Sequence, residues 1–456
     1  MSLQTPVYGG WRERRGFGLG SLSGKQTFAA LAGVGVVLVA TLIHPGAWLF
    51  VAPPMTVVAA TAAVRVRGET LPGYLTRHIG WVIDERRGRH HFSGQGRAVL
   101  PGELGRLKPL EVQDGHGAST AVIWDPGTES LTAVIPLEPM GVEFVGDEEV
   151  VDRAHAWGQW LAHLGYVPDL RHVVVTVASG PARDQGSQRS LQEDLAAQVA
   201  WESQQAVATG AVHTKTLLSL TVRCPRGVEQ GCAQMLELVA SAESLNSCGL
   251  SVRPAMGLAD LSQWIRECFD ADAAGDGRTA TWLDARPVAA RESWDRYQHD
   301  GSVSTGFFWD ECPGESVSPR ILSRLLGPSE YGKRVSLVFE PVPAHRAARE
   351  VDRQAQAAVF RRQYRDRLGR DETAREQADL ERARQTAREQ AAGAGLVDVG
   401  VYAVVCASDP SDLDSHVADL ANRAGESRLR LRRSYGSQAA TFIATLGLGI
   451  VPGTSR

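Results

Sequence analysis

Residues Thr27–Val64 read TFAALAGVGVVLVATLIHPGAWLFVAPPMTVVAATAAV, and the fold class assigned to the chain turns on this stretch. Two runs without a formal charge, Thr27–Ile43 and Ala47–Val64, flank His44-Pro45-Gly46, a turn signal. Each run is near the lower length limit for crossing about 30 Å of hydrocarbon. Lys25 and Arg65 bracket the pair, and no formal charge lies between them. The expected structure is a transmembrane helical hairpin over 27–64. Arg12, Arg14, Arg15 and Lys25 precede it, and Arg65, Arg67, Arg77, Arg86, Arg87 and Arg89 follow. Positive flanks stay inside, which places both termini in the cytoplasm of a multi-pass inner (plasma) membrane protein, with the lipid bilayer as its first partner. Trp48 falls at the outer interface, and Pro53-Pro54 removes two N–H donors and predicts a kink in the second helix.

The segment before the hairpin, residues 1–26, is basic and glycine-rich. Its Gly16–Thr27 stretch, GFGLGSLSGKQT, looks at first like a phosphate-binding loop. A P-loop needs a glycine five residues before Gly24 and a hydroxyl after the lysine. Leu19 and Gln26 occupy those positions, so nucleotide binding is not expected.

Composition supports a folded chain. Of 456 residues, 43% are hydrophobic and 22% charged, and the net charge of −4 gives no general nucleic-acid affinity. The six cysteines form no C-x-x-C pair, and no Cys/His spacing matches a zinc site. They are expected to be reduced and mostly buried.

Residues 65–344 read as a cytoplasmic α+β region. Ser119–Leu137 predicts a β-hairpin turning at Asp125-Pro-Gly-Thr128. Asp147–Leu164 starts acidic and continues with helical apolar spacing, predicting an amphipathic helix. Further strands are expected at His172–Ser179, Thr216–Val222, Thr279–Leu283, Ser302–Trp309 and Arg334–Glu340. Helices are expected near Leu191–Thr209 and Val228–Asn246. The alternation predicts ferredoxin-like, split βαβ sheets. Residues 345–394 differ: His345–Ala392 carries twelve arginines, nine acidic residues and no proline. This segment predicts a long Arg-rich helix, about 70 Å if continuous. A C-terminal α/β module, 395–456, then runs strand, helix, basic strand and short helix. In RLRLRR (Arg428–Arg433), period-two alternation puts Leu429 and Leu431 on the inner face and Arg428, Arg430 and Arg432 on the outer.

No catalytic, metal or cofactor motif stands out. Asp270–Gly277 resembles a calcium loop but has Ala274 and Thr281 where two ligands belong. His90-His91 has no third ligand nearby in sequence. The expectation is a protein without enzymatic activity or cofactor.

The end of the chain carries a resemblance. Asp409–Leu413, Gln438, Phe442, Leu446, Leu448 and Gly449 fall where the end of the N-terminal, non-ATPase domain of VirB-type type IV secretion ATPases has D-x-x-D/E-L and then Q-x-x-F-x-x-x-L-P-L-G. Gly447 stands where that family usually has proline. The hairpin is similar in layout to the two-helix PrgI/VirB-type inner-membrane subunit. Tyr8–Trp11 (YGGW) resembles actinobacterial conjugation-locus proteins that join the two parts. The resemblance implies an inner-membrane adaptor that docks a separately encoded secretion ATPase, and other channel subunits, in a conjugative translocation system. Gln438 and Phe442, with the three arginines, are its interaction candidates. The arginine row would meet partner carboxylates or the phosphates of transported DNA. A type VII secretion core scaffold and a membrane-tethered enzyme remain as alternatives.

Overall fold

The computed structural model describes residues 65–452 apart from 67–68, 95–98, 114–116, 118, 142–144, 182–211, 271–272, 274–279, 312–319 and, but for single positions, 350–394. The described residues fall into two compact units, one ending at residue 90 and one beginning at residue 91. In the smaller, β1 (Arg65–Val66) and β2 (Glu69–Thr70) pair ahead of α1 (Leu71–Arg86). Leu75, Ile79 and Ile83, spaced four apart on α1, are exposed.

In the larger unit, strands are β3 (His91–Ser93), β4 (Lys108–Gln113), β5 (Ser119–Asp125), β6 (Ser130–Pro139), β7 (Leu170–Pro181), β8 (Val212–Arg223), β9 (Leu250–Val252), β10 (Ala289–Glu292), β11 (Tyr297–His299), β12 (Ser302–Glu311), β13 (Lys333–Pro341), β14 (Val397–Ala407) and β15 (Arg430–Arg433). Its α-helices include α2 (Asp147–Leu164), α3 (Val228–Ser241), α4 (Leu258–Phe269), α5 (Ser323–Leu326), α6 (Leu413–Glu426) and α7 (Gln438–Ala444). Among the described residues the strands build one 13-stranded sheet, β3-β10-β11-β12-β14-β13-β7-β8-β6-β5-β4, with β15 also on β12 and β9 also on β6. Every described pairing is antiparallel.

The order contains a repeat. The run β6-α2-β7-β8-α3-β9 lies in the sheet as β9-β6-β8-β7, and β12-α5-β13-β14-α6-β15 lies as β15-β12-β14-β13. The two β-α-β-β-α-β halves meet where β7 pairs with β13, from Lys333↔Ser179 to Phe339↔Val173. The pairing buries an edge of each half, edges that would otherwise expose a ladder of unpaired backbone groups.

Both faces of the sheet are covered. Val335, Leu337, Val401, Ala403, Leu218 and Leu220 face a core closed by α2, α3, α5 and α6. Ile123, Val134, Leu217 and Val404 face the other, closed by α4, α7 and the terminal turn. The strands therefore read as near-continuous apolar runs, as doubly covered strands do. Three-residue β9 needs its neighbours to exist at all.

The expected fold class is corrected. In place of separate ferredoxin-like sheets the described residues form one continuous antiparallel sheet, because the outer strands of the two halves pair with each other. Among the described residues no helix is long and apolar enough to cross a membrane; their apolar runs are spent on the sheet and its covering helices. That finding overturns the multi-pass membrane localisation and the membrane character assigned from sequence. The hairpin residues themselves, with Thr27, Ile43, Pro45, Gly46, Trp48, Pro53, Pro54 and Val64, lie outside the described residues. So do the helix expected near Leu191–Thr209 and nearly all of the Arg-rich segment. Residues 395–452 are not a separate layer: β14 sits between β12 and β13.

Candidate functional site

Where the two halves meet, the strand ends leave a cleft of 670 Å³. Its floor follows from register. Ser304↔Cys406, the Cys406–Gly332 backbone hydrogen bond and Gly180↔His213 align one row of residues across β12, β14, the start of β13, β7 and β8. The next row inward is Gly306, Val404, Arg334, Ala178 and Lys215. Gly180 and Gly332 leave the middle of the outer row without side chains. A Cβ on Gly332 would stand 3.2 Å from the Cβ of Cys406. The result is a trough with His299, Ser304 and Cys406 at one end and His213 and Lys215 at the other. Trp264, Glu267 and Cys268 of α4 also line it.

At the first end the polar groups form a chain. His299 Nδ1 lies 2.5 Å from the carbonyl oxygen of Phe269, which can only accept, so Nδ1 carries the proton. Nε2 then accepts from the Ser304 hydroxyl at 2.5 Å, and the Ser304 oxygen accepts from the Cys406 thiol at 3.1 Å. Burial lowers the His299 pKa to about 4, with the charge of Arg334 acting the same way against the Phe269 carbonyl. The imidazole is therefore neutral near pH 7, as the chain requires. Cys268, fully buried, is pushed up to about 12 by desolvation and stays a thiol.

At the other end Lys215 Nζ pairs with Glu267 at 2.8 Å and lies 6.0 Å from the Trp264 ring centre. Burial, then the Lys215 charge, lowers the pKa of His213. On the opposite face of β13, Lys333 is buried and donates to the carbonyls of Leu325 and Gly327 at 2.9 and 2.6 Å. Burial, helped by Arg423, brings its pKa down to about 8. Tyr331 stacks on His416 with ring centres 4.2 Å apart and donates to Asp419 at 2.6 Å.

Arg334 is the unusual member. It is 7% exposed, its guanidinium lies 4.5 Å from the Phe442 ring centre, and Nε donates to Thr445 Oγ1 at 3.3 Å. Nη2 is buried and makes no hydrogen bond. This arrangement suits recognition of a negatively charged group. Among the described residues no group of three or more His, Cys, Asp or Glu is placed to hold a metal.

The residues singled out from sequence lie elsewhere. Arg428, with φ of 53°, and Arg430 are exposed at the corner between α6 and β15. Leu429 is buried and Leu431 packs on the core. Arg432 is half-buried with its guanidinium 4.6 Å from the Phe308 ring centre. Gln438 and Phe442 are each 1% exposed. Gln438 Oε1 accepts the Gly306 N–H at 2.7 Å and Nε2 donates to the Ser434 carbonyl at 2.8 Å, which fixes α7 to β12. Gln438→Leu leaves both buried partners unmet, and urea unfolding should show a loss of about 2–4 kcal/mol. No local sequence pattern unites the trough residues, because they come from six strands, β7, β8, β11, β12, β13 and β14, distant along the chain. Gly332-Lys333-Arg334, two cations opening an otherwise apolar strand, was the visible signal.

No model of a known protein family matches this chain, and no curated protein matches it.

Proposed function

We propose that this chain is a non-enzymatic docking subunit of a conjugative, type IV secretion-like translocation system, and that it holds a separately encoded secretion ATPase. The support begins with the residues of the resemblance. Leu413 opens α6, Gln438 and Phe442 lie on α7, and Leu446, Leu448 and Gly449 form the terminal turn. They fill the core or fix the backbone, so they speak for a shared local fold rather than a shared contact surface. One observation carries the docking reading: of the candidates named from sequence, those exposed at the α6–β15 corner are Arg428 and Arg430, while Gln438 and Phe442 face inward. An exposed arginine corner is suited to carboxylates on a partner, and such contacts act mainly on association rate and salt dependence.

The test is co-purification and titration of the full chain with a separately encoded secretion ATPase. Binding should weaken with rising salt, and Arg428→Glu with Arg430→Glu should weaken it at least tenfold while the thermal midpoint stays unchanged. Equal affinity of wild type and double variant would sink the reading. Deleting residues 395–456 is a poor test, because it removes a central strand of the sheet.

A further inference from the structure

A buried full charge is costly unless it is paired, and arginine cannot shed its proton to escape the cost. Arg334 is over nine-tenths buried and borders the trough, and among the described residues no ion pair joins it to a carboxylate. The Phe442 ring and one hydroxyl offset only part of that charge, and Nη2 is left without an acceptor. Nothing in the packing of the two halves demands a cation here. Its counterpart positions along β13, Ser336 and Val338, are filled by a hydroxyl bonded to Thr176 at 2.7 Å and by an aliphatic side chain.

We propose that the trough binds a small organic monocarboxylate, with Arg334 as the anchor for its carboxylate. The charge of the ligand follows from what lines the cleft. Lys215 is already neutralised by Glu267, and Glu330, Asp409 and Asp412 add negative charge. Lys333 is held by two carbonyls on the opposite face of β13, which leaves Arg334, among the described lining residues, as the cation with an unmet N–H, set among several carboxylates. A single negative charge matches it, whereas a phosphate dianion would meet repulsion from Glu330, Asp409 and Asp412. The size follows from the volume: 670 Å³ lies within the range of about 300–1,000 Å³ typical of small-molecule sites, which suits an acid of amino-acid to short-peptide size. The glycine floor leaves room beside the guanidinium for the uncharged remainder of the ligand. A free acid and the C-terminus of a peptide present the same chemistry, and the experiment separates them.

The experiment is calorimetric titration of the full-length protein with four probes in acid and amide pairs, benzoate against benzamide and acetyl-Leu-Ala against its C-terminal amide, with inorganic phosphate as a fifth. The acids should bind at least tenfold more tightly than their amides and more tightly than phosphate. Binding of both acids identifies free carboxylates as ligands, and binding of the peptide acid alone identifies a peptide terminus; either supports the site. Arg334→Met should abolish the preference for acid over amide without lowering the thermal midpoint, since it removes a charge that the fold leaves uncompensated. Equal binding of acids and amides, tighter binding of phosphate, or a preference that survives in Arg334→Met would overturn the proposal. Should Arg334→Met fail to fold, Arg334 is a structural cation and the proposal is likewise wrong.

Discussion

Lowering the pH from 7 to 4.5 is expected to cost the fold roughly 5 kcal/mol through two buried histidines alone. His172 on β7 is 0% exposed and His299 is 2% exposed. Burial, then the adjacent Arg171 charge, takes His172 down to about 3, against a raising influence from the Gly449 backbone; His299 is brought to about 4. In the unfolded chain both titrate near the ordinary value of about 6.5. Above that value both states are neutral and the pair is silent. As pH falls through it, the unfolded chain takes up protons that the folded one refuses, so stability drops and goes on dropping until pH 4 and then 3. A domain of typical stability, about 5–15 kcal/mol, has little left after such a loss. Carboxylates also contribute to acid unfolding, so the comparison is between wild type and His172→Leu by urea titration at both pH values. The difference between the two proteins should shift in favour of the variant by about 2.5 kcal/mol on acidification. Parallel pH profiles would mean that His172 is reached by protons in the folded state.

Gly449→Ala should be among the most damaging single-methyl additions the chain can receive. The turn from Leu446 to Val451 lies flat on the sheet, above a strip of small hydroxyl side chains: Thr132 on β6, Ser219 and Thr221 on β8, Thr176 on β7. Thr132 and Thr221 bond to each other at 3.0 Å. A Cβ on Gly449 would fall 2.0 Å from Thr132 Oγ1, and the residue has φ of 77°, where L side chains are strained. Clash and strain together predict a loss of about 3–5 kcal/mol in urea unfolding. Adding Thr132→Ala removes the struck oxygen and should recover part of the loss, leaving the cost of the backbone conformation. A loss under about 1 kcal/mol would show that the turn does not lie on the sheet as described. Gly447 makes the same point against proline. Its φ of 71° is out of reach for a residue locked near −65°, so this chain cannot carry the proline that the secretion-ATPase pattern places here.

Much of the local structure was legible in the sequence. Asp147–Leu164 is helical over the predicted span, with its acidic first turn, and the Asp125-Pro-Gly-Thr128 turn joins β5 to β6. There Asp125 accepts from Arg106, Gly127 and Thr128, a local arrangement that short-range pattern can signal. The strand expected at Thr279–Leu283 is absent over the described residues 280–283, where a turn begins at Trp282. The Asp284 carboxylate accepts both the backbone N–H and the hydroxyl of Thr281 at 3.0 and 2.6 Å, which closes the chain on itself. What alternation could not disclose was pairing. It says which way Leu218 and Ser219 point but not that β7 seeks β13 across more than a hundred residues, and the repeated order of the halves follows from that pairing. The arginine row was read correctly for Leu429 and Leu431. Arg432 is less exposed than Arg428 and Arg430 because it pairs with Phe308 on β12 and its guanidinium lies over that ring. The trough was illegible because its two rows are assembled from registers, and a sequence carries no register between strands so far apart.

Amide hydrogen exchange on the full chain, alone and with the secretion ATPase proposed as its partner, tests the docking account most directly. In the free protein β14, paired along both edges and covered on both faces, should exchange among the slowest segments. Adding the ATPase should slow exchange across residues 413–433, from α6 through the arginine corner, and leave β4 and β5 at the far side of the sheet unchanged. No change in residues 413–433 under conditions where the two proteins co-purify would contradict the docking surface assigned to Arg428 and Arg430.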